Sequence, residues 1–194
     1  MFSIFKYFQK SSISPNNKKF LIVGLGNIGE EYKNTRHNIG FDIVDQLGKI
    51  LKGTFNSAKY GDILKSKYAG KQIILLKPNT FMNLSGKAVL YWLKKEKINT
   101  NNLIVIVDDL NINFGVSRLK PSGSDGGHNG LKDITNSLNT SNFPRLRFGI
   151  GNNFKKKYQV DFVLSKWNNE EANNLENLIN LSLIHISEPT RLGF

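Results

Sequence analysis

Apolar positions along the chain fall in short runs separated by polar, glycine-bearing loops. Phe20–Val23 and Leu103–Val107 are continuous apolar stretches and read as strands buried on both faces. Arg145–Ile150 reads as another strand and Val116–Lys120 as a short basic one. Ile63–Tyr68 and Gln72–Leu76, joined at Gly70-Lys71, form a hairpin pattern. Helical spacing begins at Phe41 and continues through Val44, Leu47 and Leu51; it recurs at Val89, Leu90 and Leu93, at Leu131–Leu138, and at Asn168–Leu181 with Asn168 as a cap. Asn83 or Ser85 could cap the second helix and Asn129 the third. Val160–Leu164 reads as a last edge strand. Strands alternate with helices but a hairpin interrupts them. The expected architecture is a single α/β domain, residues 18–181, with a twisted, mixed, mostly parallel sheet and helices on both faces.

The ends differ from this body. Residues 1–17 join a short aromatic and basic piece to a Ser/Asn/Pro linker, with neither a continuous apolar region nor a small-residue cleavage site. They read as a frayed extension and not as a secretory signal. Residues 182–194 lose the helical period, carry Pro189, and read as an atypical, non-native tail.

Composition adds one pointed fact. The 194 residues carry 27 Lys and Arg against 15 Asp and Glu, a net charge of +12. Such an excess suits a polyanionic partner, nucleic acid before acidic membrane, although a basic bias of the whole proteome would give the same count. No cysteine is present, which excludes disulfides, thiolate zinc sites and a Cys nucleophile and fits a reducing compartment. No apolar run approaches the roughly 18 residues of a membrane span.

The glycines after the first strand, Gly24-Leu25-Gly26-Asn27-Ile28-Gly29, fit the dinucleotide fingerprint. That fingerprint requires a helix to open on the glycines and hold a pyrophosphate at its N-terminus. Here Glu30, Glu31, Tyr32 and a polar loop follow instead, and the helical pattern starts about ten residues later. The place of the ribose-binding acid, about 20 residues on, falls inside that helix. An oxidoreductase built on this loop is a weak reading, and a saturable NADH titration would revive it.

Asn27, His37, Asn83, Asp108 and Asn129 all lie in loops just after strands or just before helices. Loops at one edge of an α/β sheet converge, and such folds place their ligand sites at the carboxyl edge. Each residue alone has a bland alternative: Asp108 or Asp109 as a turn cap, Asn129 as a helix cap, and His37, like His128, as a hydrogen-bonded loop histidine. No G-x-S-x-G elbow marks a serine nucleophile, and three scattered histidines give no metal-ligand spacing. What remains is a histidine acting as general base on water, an aspartate holding its tautomer, and amides stabilising an oxyanion. That machinery suits an activated acyl substrate, an ester before an amide.

Three stretches carry a resemblance. GLGNIG followed by TRHNIGF, then KPNTFMNLSG, then VDDLNI with SGSDGGHNGLKD and RLRFGIG, resemble bacterial-type peptidyl-tRNA hydrolase, in that family's order and over roughly Lys19–Trp167. The resemblance implies cleavage of the ester between a peptide and the tRNA ribose by a cytoplasmic, monomeric enzyme without cofactor or metal. It makes His37 the base and Asp108 its orienting partner. It gives Asn27 and Asn83 the positioning of substrate and water, and Asn129 the peptide or the oxyanion. Tyr32 and Met82 would line the cleft, and His128 would support its loop. Two departures stand out: Ile28 replaces a usual proline, and Asn111 replaces an acid. Among the basic residues downstream, Arg118, Arg145, Lys155–Lys157 and above all Lys120 and Arg147 are expected to meet tRNA phosphate without reading bases. An inactive RNA-binding relative is the competing class, and it would need His37 or Asp108 lost.

Overall fold

Leucine, isoleucine and valine in unbroken runs make strands that are covered on both sides, and those runs form the middle of the sheet. The computed structural model describes residues 19–185. β1 (Lys19–Gly24) leads through two short 3-10 turns to α1 (Ile39–Ile50). The short β2 (Asn56–Ala58), which the sequence pattern did not suggest, precedes the hairpin β3 (Gly61–Tyr68) and β4 (Lys71–Pro78). Then come α2 (Ser85–Glu96), β5 (Leu103–Asp109), β6 (Ser117–Lys120), α3 (Asn129–Leu138), β7 (Arg145–Gly149), α4 (Gln159–Leu164) and α5 (Asn169–His185).

The seven strands form one mixed sheet in the order β2-β3-β4-β1-β5-β7-β6. β4, β1, β5 and β7 are parallel to their neighbours within that central set. At the sides β3 runs antiparallel to β4, β2 antiparallel to β3, and β6 antiparallel to β7. Alternate residues of β1 point to opposite layers. Phe20 and Ile22 pack with Ile43, Leu47 of α1 and Ile179, Leu183 of α5. Leu21 and Val23 pack with Val89 and Trp92 of α2 and Leu131 and Ile134 of α3. The chain leaves β1 toward β4, then crosses to β5 on the other side. The carboxyl ends of β1 and β5 therefore flank the point where strand order reverses, the place where such sheets open a crevice.

Three expectations change. Val160–Leu164 lies in helix α4 and not in an edge strand, because β6 already occupies that edge and a helical turn lets Phe162 and Val163 face the core while Val160 stays 67% exposed. The last helix runs on to His185, with Ser182 and Leu183 buried, so residues 182–185 belong to that helix; residues 186–194, like residues 1–18, lie outside the described residues. Caps also differ. α2 is capped by neither Asn83 nor Ser85: Ser85 Oγ donates to the Met82 carbonyl, and Asp133 Oδ2 accepts the Gly86 N–H at 2.7 Å. For α3 the cap is His128, not Asn129. The Asn168 cap is as expected: its Oδ1 accepts the Glu171 N–H at 2.8 Å, and Glu171 Oε2 accepts the Asn168 N–H at 2.9 Å, a capping box.

Candidate active site

Glycine sets the site in place. The end of β1 crosses the first turn of α1 so closely that a Cβ on Gly24 would overlap the Gly40 carbonyl, and one on Gly40 would overlap the Leu25 backbone. This contact brings the 3-10 turn Arg36–Asn38 over the end of β5. Loops after β1, after β4, after β5 and before α3 then surround a cleft of about 490 Å³. Asn27, His37, Met82, Asn83, Asp108 and Asn129 all line it, as does His128. Tyr32 does not reach it; that residue is half-buried, and its carbonyl accepts from Thr35 Oγ1 at 2.7 Å.

Two imidazoles share one carboxylate oxygen. His37 Nδ1 lies 2.8 Å and His128 Nε2 3.0 Å from Asp108 Oδ1, with the rings 4.9 Å apart. A carboxylate only accepts, so both facing nitrogens carry hydrogen. His128 Nδ1 is then an acceptor, and it receives the N–H groups of Gly130 and Leu131 at 3.1 and 3.3 Å. That imidazole is fully engaged as a helix cap and a support for Asp108. His37 instead keeps an unprotonated Nε2 in the cleft, which is what a general base requires. Burial alone would depress the pKa of His37, but the Asp108 charge and hydrogen bond outweigh it and raise it. Burial likewise would raise Asp108, yet the two imidazoles hold it far below the ordinary carboxylate range. Asp108 therefore stays ionised throughout the range in which His37 titrates.

Among the described residues, His37, Asp108 and His128 form the one group of metal-ligating type. Their nitrogen–oxygen separations of 2.8 and 3.0 Å are hydrogen-bond lengths, shorter than the roughly 3.3 Å that a tetrahedral zinc imposes between its ligands.

The amides are arranged with equal economy. Asn38 Oδ1 accepts the Asn27 N–H and its Nδ2 donates to the Asn27 carbonyl, both at 2.9 Å. Asn27 Oδ1 accepts the Met82 N–H at 2.8 Å, tying the loop after β1 to the loop after β4. The Asn27 Nδ2 is thus turned away from Met82. Asn83 and Asn129 are exposed at the cleft with their side chains available. Asn38 was not singled out from sequence; its only signal was an amide directly after His37.

This arrangement has relatives. The family model for peptidyl-tRNA hydrolase matches residues 21–192. The chain belongs to the peptidyl-tRNA hydrolase family. It is 56% identical over 153 residues to the peptidyl-tRNA hydrolase of Parabacteroides distasonis, covering 79% of this chain and 82% of that protein. It is 52% identical over 158 residues to that of Phocaeicola vulgatus, covering 81% and 84%. The crystal structure of peptidyl-tRNA hydrolase from Acinetobacter baumannii superposes with a TM-score of 0.81 at 38% identity, covering 88% of each chain.

Four of the basic residues expected to meet phosphate in this peptidyl-tRNA hydrolase family member divide into three kinds. Arg118 stands opposite Arg147, and Lys120 opposite Arg145, in the β6–β7 ladder, so all four leave the same face of the sheet. Arg145 is only 1% exposed and donates to the carbonyls of Ser124 and Ser141 at 3.0 and 2.8 Å. It holds loops together and is withdrawn from the phosphate set. Arg147 lines the cleft and is ion-paired with Asp109, whose other oxygen accepts the Asn111 N–H at 2.8 Å. Lys120 and Arg118 are exposed.

Proposed function

We propose that the chain hydrolyses the ester joining a peptide to the ribose of tRNA, acting as a cytoplasmic monomer through a water activated by His37. The observation that carries this reading is the His37–Asp108 contact of 2.8 Å, which leaves Nε2 of His37 as a base in a cleft lined by amides. Nε2 takes a proton from water, and the oxygen of that water attacks the ester carbonyl carbon. Asp108 stabilises the imidazolium that forms, as a buried carboxylate does for the histidine of a hydrolytic triad. Negative charge on the carbonyl oxygen falls to amide donors, with Asn129 in that role and Asn27 and Asn83 holding substrate and water. Collapse breaks the carbon–oxygen bond to the ribose, and the proton on Nε2 passes to the departing hydroxyl. No step requires a metal or a covalent enzyme intermediate. Lys120 and Arg147 supply charge to the tRNA backbone, Arg147 in competition with Asp109. The test is release of peptide from a blocked aminoacyl-tRNA, with free aminoacyl-tRNA as control. His37→Ala should lower kcat by about 10²–10⁴ while leaving tRNA affinity nearly intact. Full activity in the folded variant would refute the mechanism.

A further inference from the structure

The residue just before the base reaches across the whole fold. Arg36 is 6% exposed, and its guanidinium grips Glu171 in a two-point fork, Nη1 to Oε1 at 2.8 Å and Nη2 to Oε2 at 2.7 Å. The same guanidinium lies over the rings of Phe162 and Trp167, at 4.5 and 4.8 Å from their centroids. Its Nε meets Ser165 Oγ at 3.3 Å, and the Arg36 N–H donates to the Ser165 carbonyl at 3.0 Å. Thr35 completes the seam through a β-bridge with Lys166. Glu171 is itself fixed by its capping box with Asn168.

A clamp that served stability alone could be built from apolar contacts, which need no desolvated ion pair. Here a buried Arg36 and a half-buried Glu171 form the pair, Arg36 is the residue before His37, and its contacts fall on the turn that presents the imidazole. The other end of the clamp matters too. Phe162 belongs to α4, whose Val160, Val163 and Leu164 form one wall of the cleft. One guanidinium therefore touches both the base-bearing turn and the helix that faces it.

We propose that Glu171, acting through Arg36, is a positioning residue that holds His37 against Asp108 and α4 against the cleft. This rests on His37 being the base. The titratable groups in contact with His37 are Asp108 from β5 and His128 at the start of α3, while the Arg36–Glu171 pair joins its turn to α5. Only the last can be changed without touching the hydrogen bonds of the imidazole.

The experiment compares Glu171→Gln and Arg36→Lys with the parent protein on a blocked peptidyl-tRNA. Alongside it, the His37 ring is titrated by NMR in the substrate-free protein. Both variants keep the hydrogen-bonding shape or the charge but lose the charged fork. Loosening the turn should lower kcat by about tenfold to 10²-fold, the scale of an ångström of misplacement, with KM within about threefold. The acidic limb of kcat/KM and the NMR titration of His37 should both move to lower pH, since the ring loses part of its contact with Asp108. Glu96→Gln is the control: it breaks the ion pairs to Lys19, at the amino end of β1, and to Lys65 but leaves the fork, and should keep kcat and both titrations. Unchanged kcat and titrations with only a lowered Tm would overturn the proposal, as would a rise in KM alone. If Glu171→Gln does not fold, Arg36→Lys decides by the same readouts. Should His37→Ala retain activity, the base assignment fails, whereas an inactive His37→Ala beside a fully active Glu171→Gln overturns only the positioning role.

Discussion

Replacing Asp108 with Asn tests the centre of the mechanism while keeping the shape of the site. Oδ1 of Asp108 receives two imidazole N–H groups at 2.8 and 3.0 Å, and an amide oxygen in that place can accept both. What the substitution removes is charge. In the transition state of the proposed mechanism His37 becomes an imidazolium beside this carboxylate. Two unit charges about 4 Å apart at an effective dielectric of about 20 attract by roughly 4 kcal/mol. At 1.36 kcal/mol per factor of ten, that predicts a fall in kcat of about 10³-fold, with KM little changed. An amide that rotates its NH₂ toward the rings would force the wrong tautomer on His37 and deepen the loss. The pH profile gives an independent reading. In the parent protein Asp108 raises the pKa of His37 against the opposing effect of burial, so the acidic limb of kcat/KM should lie above the reference value of about 6.5. Losing the carboxylate leaves burial unopposed and should carry the limb to lower pH. The assay is release of labelled N-acetyl-amino acid from tRNA across pH 5–8.5. A limb that stays in place together with a kcat within about threefold of the parent would show that this contact is not part of the reaction.

Lys120→Ala should raise KM, leave kcat nearly unchanged and flatten the log–log salt dependence by about one unit, whereas hydrolysis of a short ester lacking the tRNA body should be indifferent to it; equal losses on both substrates would reassign the residue to loop support. Asp42, in the first turn of α1, has its carboxyl pushed up to about 7 by burial and by Asp45, against the pull of Lys77. Its folded pKa exceeds the unfolded one, so the group favours the folded state when protonated and that contribution is lost as pH rises toward 7. Asp42→Asn should therefore raise Tm at pH 8 and change it little at pH 4, as followed by thermal unfolding; equal shifts at both pH values would refute the assignment.

The central sheet was legible in the sequence because strands covered on both faces leave no room for polar residues. Phe20–Val23 and Leu103–Val107 state that condition outright. Candidate chemistry was legible for a related reason. His37, Asp108 and the three asparagines sit where glycines end strands or helices begin, and in an α/β sheet those positions share an edge. α4 escaped the pattern, since five residues such as Val160–Leu164 satisfy strand and helix periods alike. Only the surroundings decide between them: an edge taken by β6 and a core reached by Phe162. Nor could spacing reveal that His37 and His128, 91 residues apart in the chain as numbered, meet on one oxygen, or which nitrogen each presents. The Arg36–Glu171 fork spans 135 residues, and no local rule pairs an arginine with one acid among fifteen. Local preference fixes where a segment starts, turns and hides its apolar face. Tautomers, ion pairs and the charge left free on Lys120 but shared by Arg147 depend on which segments the folded sheet sets side by side.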